Sequence, residues 1–76
     1  MAKVRNRLAV LARRKDLRHR DIVRAAEDLG FKDITYSKLN YWAANKNQPQ
    51  VQSAFNLCSI LGCTIDEFFR VRKAKA

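Results

Sequence analysis

The sequence predicts a compact, all-α domain of five short helices. Apolar residues recur at intervals of three and four along most of the 76-residue chain, as they do on the buried face of a helix. No segment shows a convincing strand pattern. Because 47% of the residues are apolar and the chain is short, we expect one globular domain over residues 1–76. We expect order over roughly residues 4–70 and a basic, frayed C-terminal tail over 71–76.

The first two helices are predicted over residues 3–15 and 19–29. Residues expected to turn inward are Val4, Leu8, Leu11 and Ala12 in the first helix, and Ile22, Val23, Ala26 and Leu29 in the second. Asp21 in the first turn of the second helix favours the positive end of the helix dipole. The stretch GFKDI, residues 30–34, then separates this helix from the third.

The third helix is predicted over residues 35–44. Thr35 can cap its start, Asn45 tolerates the left-handed backbone that often ends a helix, and Pro49 prevents continuation. One face carries Leu39, Trp42 and Ala43, and the other carries Tyr36, Ser37, Asn40, Tyr41 and Ala44. There is no Asp or Glu between residues 34 and 65. The outer face of this helix is therefore polar and lacks acidic residues.

Two further helices follow Pro49. The apolar residues of the fourth helix are Val51, Ala54, Phe55, Leu57, Cys58 and Leu61, and Gly62 ends it. Thr64, with Glu67 three positions later, forms a capping box that opens a short fifth helix. Phe68 and Phe69 give this last helix its packing face.

The charge of the chain indicates a polyanionic partner. Sixteen Lys and Arg against seven Asp and Glu give a net charge of +9 and a pI near 10.3. Nucleic acid is the commonest partner of such a protein, although a soluble basic surface shows the same balance. No apolar run is long enough to cross a bilayer and no signal-peptide pattern opens the sequence, so we expect a cytoplasmic location.

Catalytic and metal-binding functions are disfavoured by the residue types present. His19 is the only histidine, and no Ser or carboxylate stands with it in a triad motif. Cys58 and Cys63 with one distant His provide too few ligands for zinc, and we expect both thiols to pack as small apolar groups. We therefore expect no enzyme activity, metal, cofactor or small-molecule ligand.

The combined spacing resembles the lambda-repressor-like helix-turn-helix domains of the Cro and XRE group. The resemblance covers roughly residues 4–70, with Leu39 ten residues before Pro49 and the apolar frame of the fourth and fifth helices following without a gap. Ala12 and Ala43 occupy positions where the family often has an Arg–Glu pair, and His19 replaces a Gln that touches phosphate. Compared with the family, residues 30–34 include about three extra residues between the second and third helices. The angle of the third helix is therefore not predicted.

The resemblance implies that the third helix lies in the DNA major groove. The implied base-reading residues are Tyr36, Ser37, Asn40 and Tyr41, and the phosphate contacts are Arg18, His19, Arg20, Lys38, Lys46 and Asn47. Asn40 is the strongest candidate for a specific base contact, because an amide can pair bidentately with the N6 and N7 edge of adenine. The alternative is that Asn40 and Ser37 are ordinary solvated surface residues, and that Arg18 and Arg20 belong to a solvated charged face.

We therefore expect a sequence-specific regulator of transcription, a repressor or Cro-like protein that binds double-stranded DNA. Relatives of this size bind as symmetric homodimers to half-sites ~34 Å apart. The region around Ile65, Phe68 and Phe69 is the candidate dimer interface, unless both Phe side chains belong to the core. Two other functions stay open: a protein-interaction module, such as an antitoxin or adaptor, and an RNA-binding protein. The operator, the host and the sign of regulation do not follow from the sequence.

Overall fold

A computed structural model describes residues 3–72 of the chain. The elements in chain order are β1 (Lys3–Asn6), α1 (Leu8–Arg14), α2 (His19–Leu29), α3 (Tyr36–Ala43), α4 (Val51–Leu61), α5 (Ile65–Phe68) and β2 (Phe69–Arg72). The five predicted helices are confirmed. Across the described residues, no helix combines the length and apolar character needed to span a bilayer.

The two strands were not predicted. β1 and β2 form an antiparallel two-stranded ribbon, in which Lys3 faces Arg72 and Asn6 faces Phe69. The first helix consequently begins at Leu8 rather than at residue 3, and the expected tail enters a strand at residues 71–72. Its remaining residues, 73–76, lie outside the described part. Each strand is four residues long and pairs with the opposite end of the sequence, so neither strand has a local signature.

The core lies where all five helices meet. Its largest fully buried side chains are Phe68, Leu8, Ile22, Leu39, Leu57 and Leu61. Trp42 is only 6% exposed, which confirms the predicted inner face of α3. Since Phe68 is buried, only Phe69 and Ile65 of the expected dimer region keep some exposure.

Four apolar residues expected to turn inward do not. Val4 is 45% exposed, Leu29 58%, Val51 69% and Phe55 49%. On α4 the inward positions are instead shared by apolar residues and by two polar ones, Ser53 and Asn56. Their burial is possible because Asp33 supplies hydrogen bonds from another segment, which the periodicity of α4 does not reveal.

The predicted ends of α3 are confirmed. The Thr35 hydroxyl accepts a hydrogen bond from the Lys38 backbone N–H at 3.2 Å. Asn45 adopts a left-handed φ of 57°, and the N–H groups of Asn45 and Lys46 donate to the carbonyls of Trp42 and Tyr41. This pair of bonds is the Schellman motif, which satisfies carbonyls at the end of a helix.

Asp33 anchors the extra residues 30–34 to α4. Its carboxylate accepts hydrogen bonds from the Ser53 hydroxyl at 2.5 Å and from Asn56 Nδ2 at 3.2 Å. Gln52 completes the cluster by donating to Asn56 Oδ1. These bonds hold the segment that leads into α3, so the added residues form an ordered connection between α2 and α3.

Candidate nucleic-acid interface

The four predicted base-reading residues occupy one exposed side of α3. Tyr36 and Tyr41 are 55% and 52% exposed, and Ser37 and Asn40 are also exposed. Their exposure follows from the burial of Leu39 and the other inner-face residues, since residues three and four apart share a helix face. The arrangement presents hydroxyl, amide and aromatic groups together to solvent.

His19 joins the start of α2 to this surface. Its Nδ1 lies 2.8 Å from Asn40 Oδ1, and because an amide oxygen only accepts hydrogen bonds, the ring nitrogen donates. The His19 and Tyr36 rings meet edge-on with centroids 5.8 Å apart. The bond orients the Asn40 amide and leaves the second lone pair of Oδ1 and both Nδ2 donors for another partner.

The predicted phosphate contacts surround α3 on several sides. Lys46 Nζ lies 5.8 Å from the centre of the Tyr41 ring, within range of a cation–π contact. Lys38 and Asn47 line a shallow groove of about 310 Å³ beside Tyr41. Arg18 and Arg20 are exposed at the start of α2, next to His19. Cationic and amide groups therefore border the exposed side of α3 at both ends.

Asp33 is an acidic residue that lies near this surface without belonging to α3. Asp33 lines the same groove as Lys38, although the sequence from residue 34 to residue 65 contains no acid. The Ser53 hydroxyl is the main cause that lowers the pKa of Asp33 below 3.8, with smaller contributions from Asn56 and the positive charge of Lys38. The Asp33 carboxylate thus accepts hydrogen bonds from two residues of α4, and these bonds stabilise its negative charge.

A buried asparagine that the sequence does not predict positions the C-terminal end of α3. Asn6 is 5% exposed, and its Nδ2 donates to the Trp42 carbonyl at 2.7 Å and to Gln48 Oε1 at 2.8 Å. Asn45 Oδ1 accepts from the Asn6 backbone N–H at 2.9 Å. The Leu8 N–H donates to Asn6 Oδ1 at 3.0 Å. A polar residue at an expected first-helix position was the only local signal of this cluster.

The two alanines that replace a common ion pair of the resembled family lie in α1 and α3. Ala12 is 4% exposed, and Ala43 is partly buried against the core. With both partners apolar, neither side chain leaves an uncompensated charge. The end of β1 is connected to α3 by the hydrogen bond from Asn6 Nδ2 to the Trp42 carbonyl.

The thiols lie away from this surface. Cys58 is 6% exposed and Cys63 is partly buried, and both are free, as expected for side chains that pack as apolar groups. Burial is the main cause that raises the pKa of Cys58 to about 12. Within residues 3–72 no three His, Cys, Asp or Glu side chains are grouped so as to hold a metal ion.

Comparison with known proteins identifies a shared fold. No protein-family model matches the chain, and no curated protein matches it. Among solved structures, the fold is similar to the crystal structure of a "putative DNA-binding protein" from Bacteroides fragilis, with a TM-score of 0.73. The two chains are 20% identical over 90% of this chain and 100% of that chain. At this identity, the similarity establishes the fold alone.

Proposed function

We propose that this protein is a sequence-specific regulator that binds double-stranded DNA and reads the major groove with α3. The main support is the contact between His19 and Asn40, which holds a reading amide in place on an exposed helix face. The net charge of +9 and the description of the B. fragilis neighbour as DNA-binding are consistent with this function.

In the proposed complex Asn40 pairs with adenine. Its Nδ2 donates to adenine N7, and the open lone pair of Oδ1 accepts from the N6 amino group. His19 acts as a positioning residue, because its donated hydrogen bond selects the amide orientation that this pairing needs. Tyr36, Ser37 and Tyr41 contact the neighbouring base edges.

The phosphate contacts in this proposal flank α3. They are Lys38, Lys46 and Asn47 near α3, with Arg18, His19 and Arg20 at the start of α2, where backbone N–H groups also favour anions. For His19 to contact a phosphate while Nδ1 donates to Asn40, Nε2 must carry a proton as well, since a phosphate oxygen only accepts hydrogen bonds.

We further propose that two copies bind a two-fold symmetric operator, since one helix contacts only a few base pairs. The buried Phe68 is not part of the dimer surface. In this proposal the protein acts as a repressor or Cro-like regulator in the cytoplasm and associates with the nucleoid through its bound DNA. Sedimentation of the protein with a duplex containing the full site should give two chains per duplex.

Selection of bound duplexes from a random pool tests the function, followed by affinity measurements on the enriched site and its single-base variants. Asn40→Ala should cost about 1–3 kcal/mol on the enriched site and relax specificity at one base pair in each half-site. Ser59→Ala, which removes an exposed hydroxyl on α4, is the control and should change neither property.

The coupling between His19 and Asn40 provides a second readout. His19→Ala should relax specificity at the same base pair, and the double variant should weaken binding by less than the sum of the two single effects. Additive effects at different base pairs would contradict the positioning role. An absence of any enriched motif would contradict sequence-specific DNA binding and favour the protein-interaction module, for which Val51 and Phe55 offer exposed apolar contact area.

A further inference from the structure

The register of the β1–β2 ribbon places its basic positions on one face. The register pairs Lys3 with Arg72 and Arg5 with Arg70 directly across the two strands. Because alternate residues of a strand belong to opposite faces, these four positions share a face. The other face contains Val4, Asn6, Phe69 and Val71. The register therefore places the four basic positions on one face of the ribbon and the apolar and amide positions on the other.

This arrangement is unfavourable for the isolated protein. Like charges directly opposite each other destabilise an antiparallel pair. The strands KVRN and FRVR contain no Asp or Glu to offset repulsion between these charges. A polyanion lying along the basic face would relieve it.

The ribbon is attached to the end of α3. The Asn6 backbone N–H donates to Asn45 Oδ1, and Asn45 Nδ2 donates back to the Asn6 carbonyl at 3.2 Å. Arg5, which is exposed, lines a groove of about 520 Å³ together with Ala43 and Asn45. The basic face thus begins beside the C-terminal end of α3, the helix proposed to bind DNA.

We propose that the basic face of the ribbon binds the phosphodiester backbone of duplex DNA next to the segment read by α3. The inference rests on the proposed function and extends it by a second contact surface. Four residues of an extended strand span ~13 Å, which matches about four base pairs at ~3.4 Å each. The ribbon adds affinity without base specificity, because phosphate contacts carry no direct sequence information.

The test compares the native chain with Arg5→Gln/Arg70→Gln on mixed-sequence duplexes. The magnitude of the log–log salt slope should fall by about two units, one for each phosphate that is no longer neutralised. At ~0.1 M salt this corresponds to an affinity decrease on the order of tenfold per phosphate. Arg14→Gln/Lys15→Gln removes the same charge from the other end of α1 and should leave the slope nearly unchanged.

Two measurements separate a DNA contact from a structural role. The thermal midpoint of the unbound Gln variant should equal or exceed that of the native chain, because an opposed pair of like charges has been removed. Arg5→Lys/Arg70→Lys keeps the charge and should retain most of the affinity, and it serves as the comparison if the Gln variant does not fold.

The position of the contact is tested by duplex length. The native chain should bind more tightly when the enriched site is extended by about five base pairs on each side, and the Gln variant should not. If the Gln variant keeps the native slope and length dependence, or if the Lys variant binds as weakly as the Gln variant does, the ribbon proposal is wrong. In that case sequence-specific binding that still depends on Asn40 would leave the proposed function intact. A native chain that binds no duplex would overturn both proposals.

Discussion

Asn6 shows how one side chain can set the position of a helix far away in the sequence. Its amide and backbone contact the Leu8 N–H, the Trp42 carbonyl, Asn45 and Gln48. With 5% exposure, these groups have little access to water if a bond is broken. The end of α3 is therefore held by a cluster of amides in which each member depends on the others.

Asn6→Ala should destabilise the fold by about 1–3 kcal/mol, the usual cost of leaving buried polar groups without partners. Urea denaturation of the unbound protein measures this change. Asn47→Ala, which truncates an exposed asparagine just beyond the cluster, is the matched control and should stay close to native stability. An Asn6 variant as stable as the native chain would show that Asn45 and Gln48 satisfy each other without it.

At the scale of elements, the connection from α2 to α3 depends on the carboxylate of Asp33. Ser53 and Asn56 are buried polar residues of α4, at 7% and 9% exposure, and both donate to Asp33. The family resemblance left the effect of the added residues open. The structure ties them to α4, so α3 is held at its start by this cluster and at its end by Asn6.

Asp33→Asn should lower stability at pH 7 by about 1–3 kcal/mol, because the buried donors are deprived of a charged acceptor. The pKa of Asp33 lies below 3.8 in the folded chain, chiefly because of the Ser53 hydroxyl. Its stabilising effect is therefore complete well above the ordinary value of 3.8 and is lost as the pH falls through the lowered pKa. The difference in stability from the native chain should begin to shrink below about pH 5 and should shrink further as the pH falls through the lowered pKa.

Denaturation at several pH values measures the difference, with Asp28→Asn as an exposed control of equal charge change. The control should remain near native stability throughout. A stability difference for Asp33→Asn that stays constant down to pH 3 would contradict the role of its ionised form.

At the scale of the whole molecule, the net charge of +9 bears on the proposed binding of DNA. Lys38 lines a groove beside Tyr41, and Lys46 Nζ lies 5.8 Å from the centre of the Tyr41 ring. If these lysines contact phosphates, affinity for DNA depends strongly on salt, because each neutralised phosphate releases counterions.

Lys38→Ala and Lys46→Ala should each weaken binding to all duplexes alike and lower the magnitude of the salt slope by about one unit. Titrations of the enriched site and of a mixed-sequence duplex at several salt concentrations measure both effects. Lys15→Ala, at the far end of α1, is the control and should bind as the native chain does. Unchanged salt slopes for both variants would indicate that other residues contact the phosphates, with Arg18 and Arg20 as the next candidates.

The sequence by itself determined the five helices and the ends of α3, because helical periodicity and capping depend on residues a few positions apart. It also predicted which side of α3 is exposed, since burying Leu39 and Trp42 turns Asn40 outward.

The tertiary structure alone decided the ribbon, the contacts of the buried Asn6, the bonds of Asp33 to α4, and the contact of His19 with Asn40. Each of these depends on partners at least 20 residues apart, and pairing between distant segments leaves no pattern in either segment. The same reason explains the exposed Phe55: its helix buries Ser53 instead, because a carboxylate from another segment makes that burial favourable.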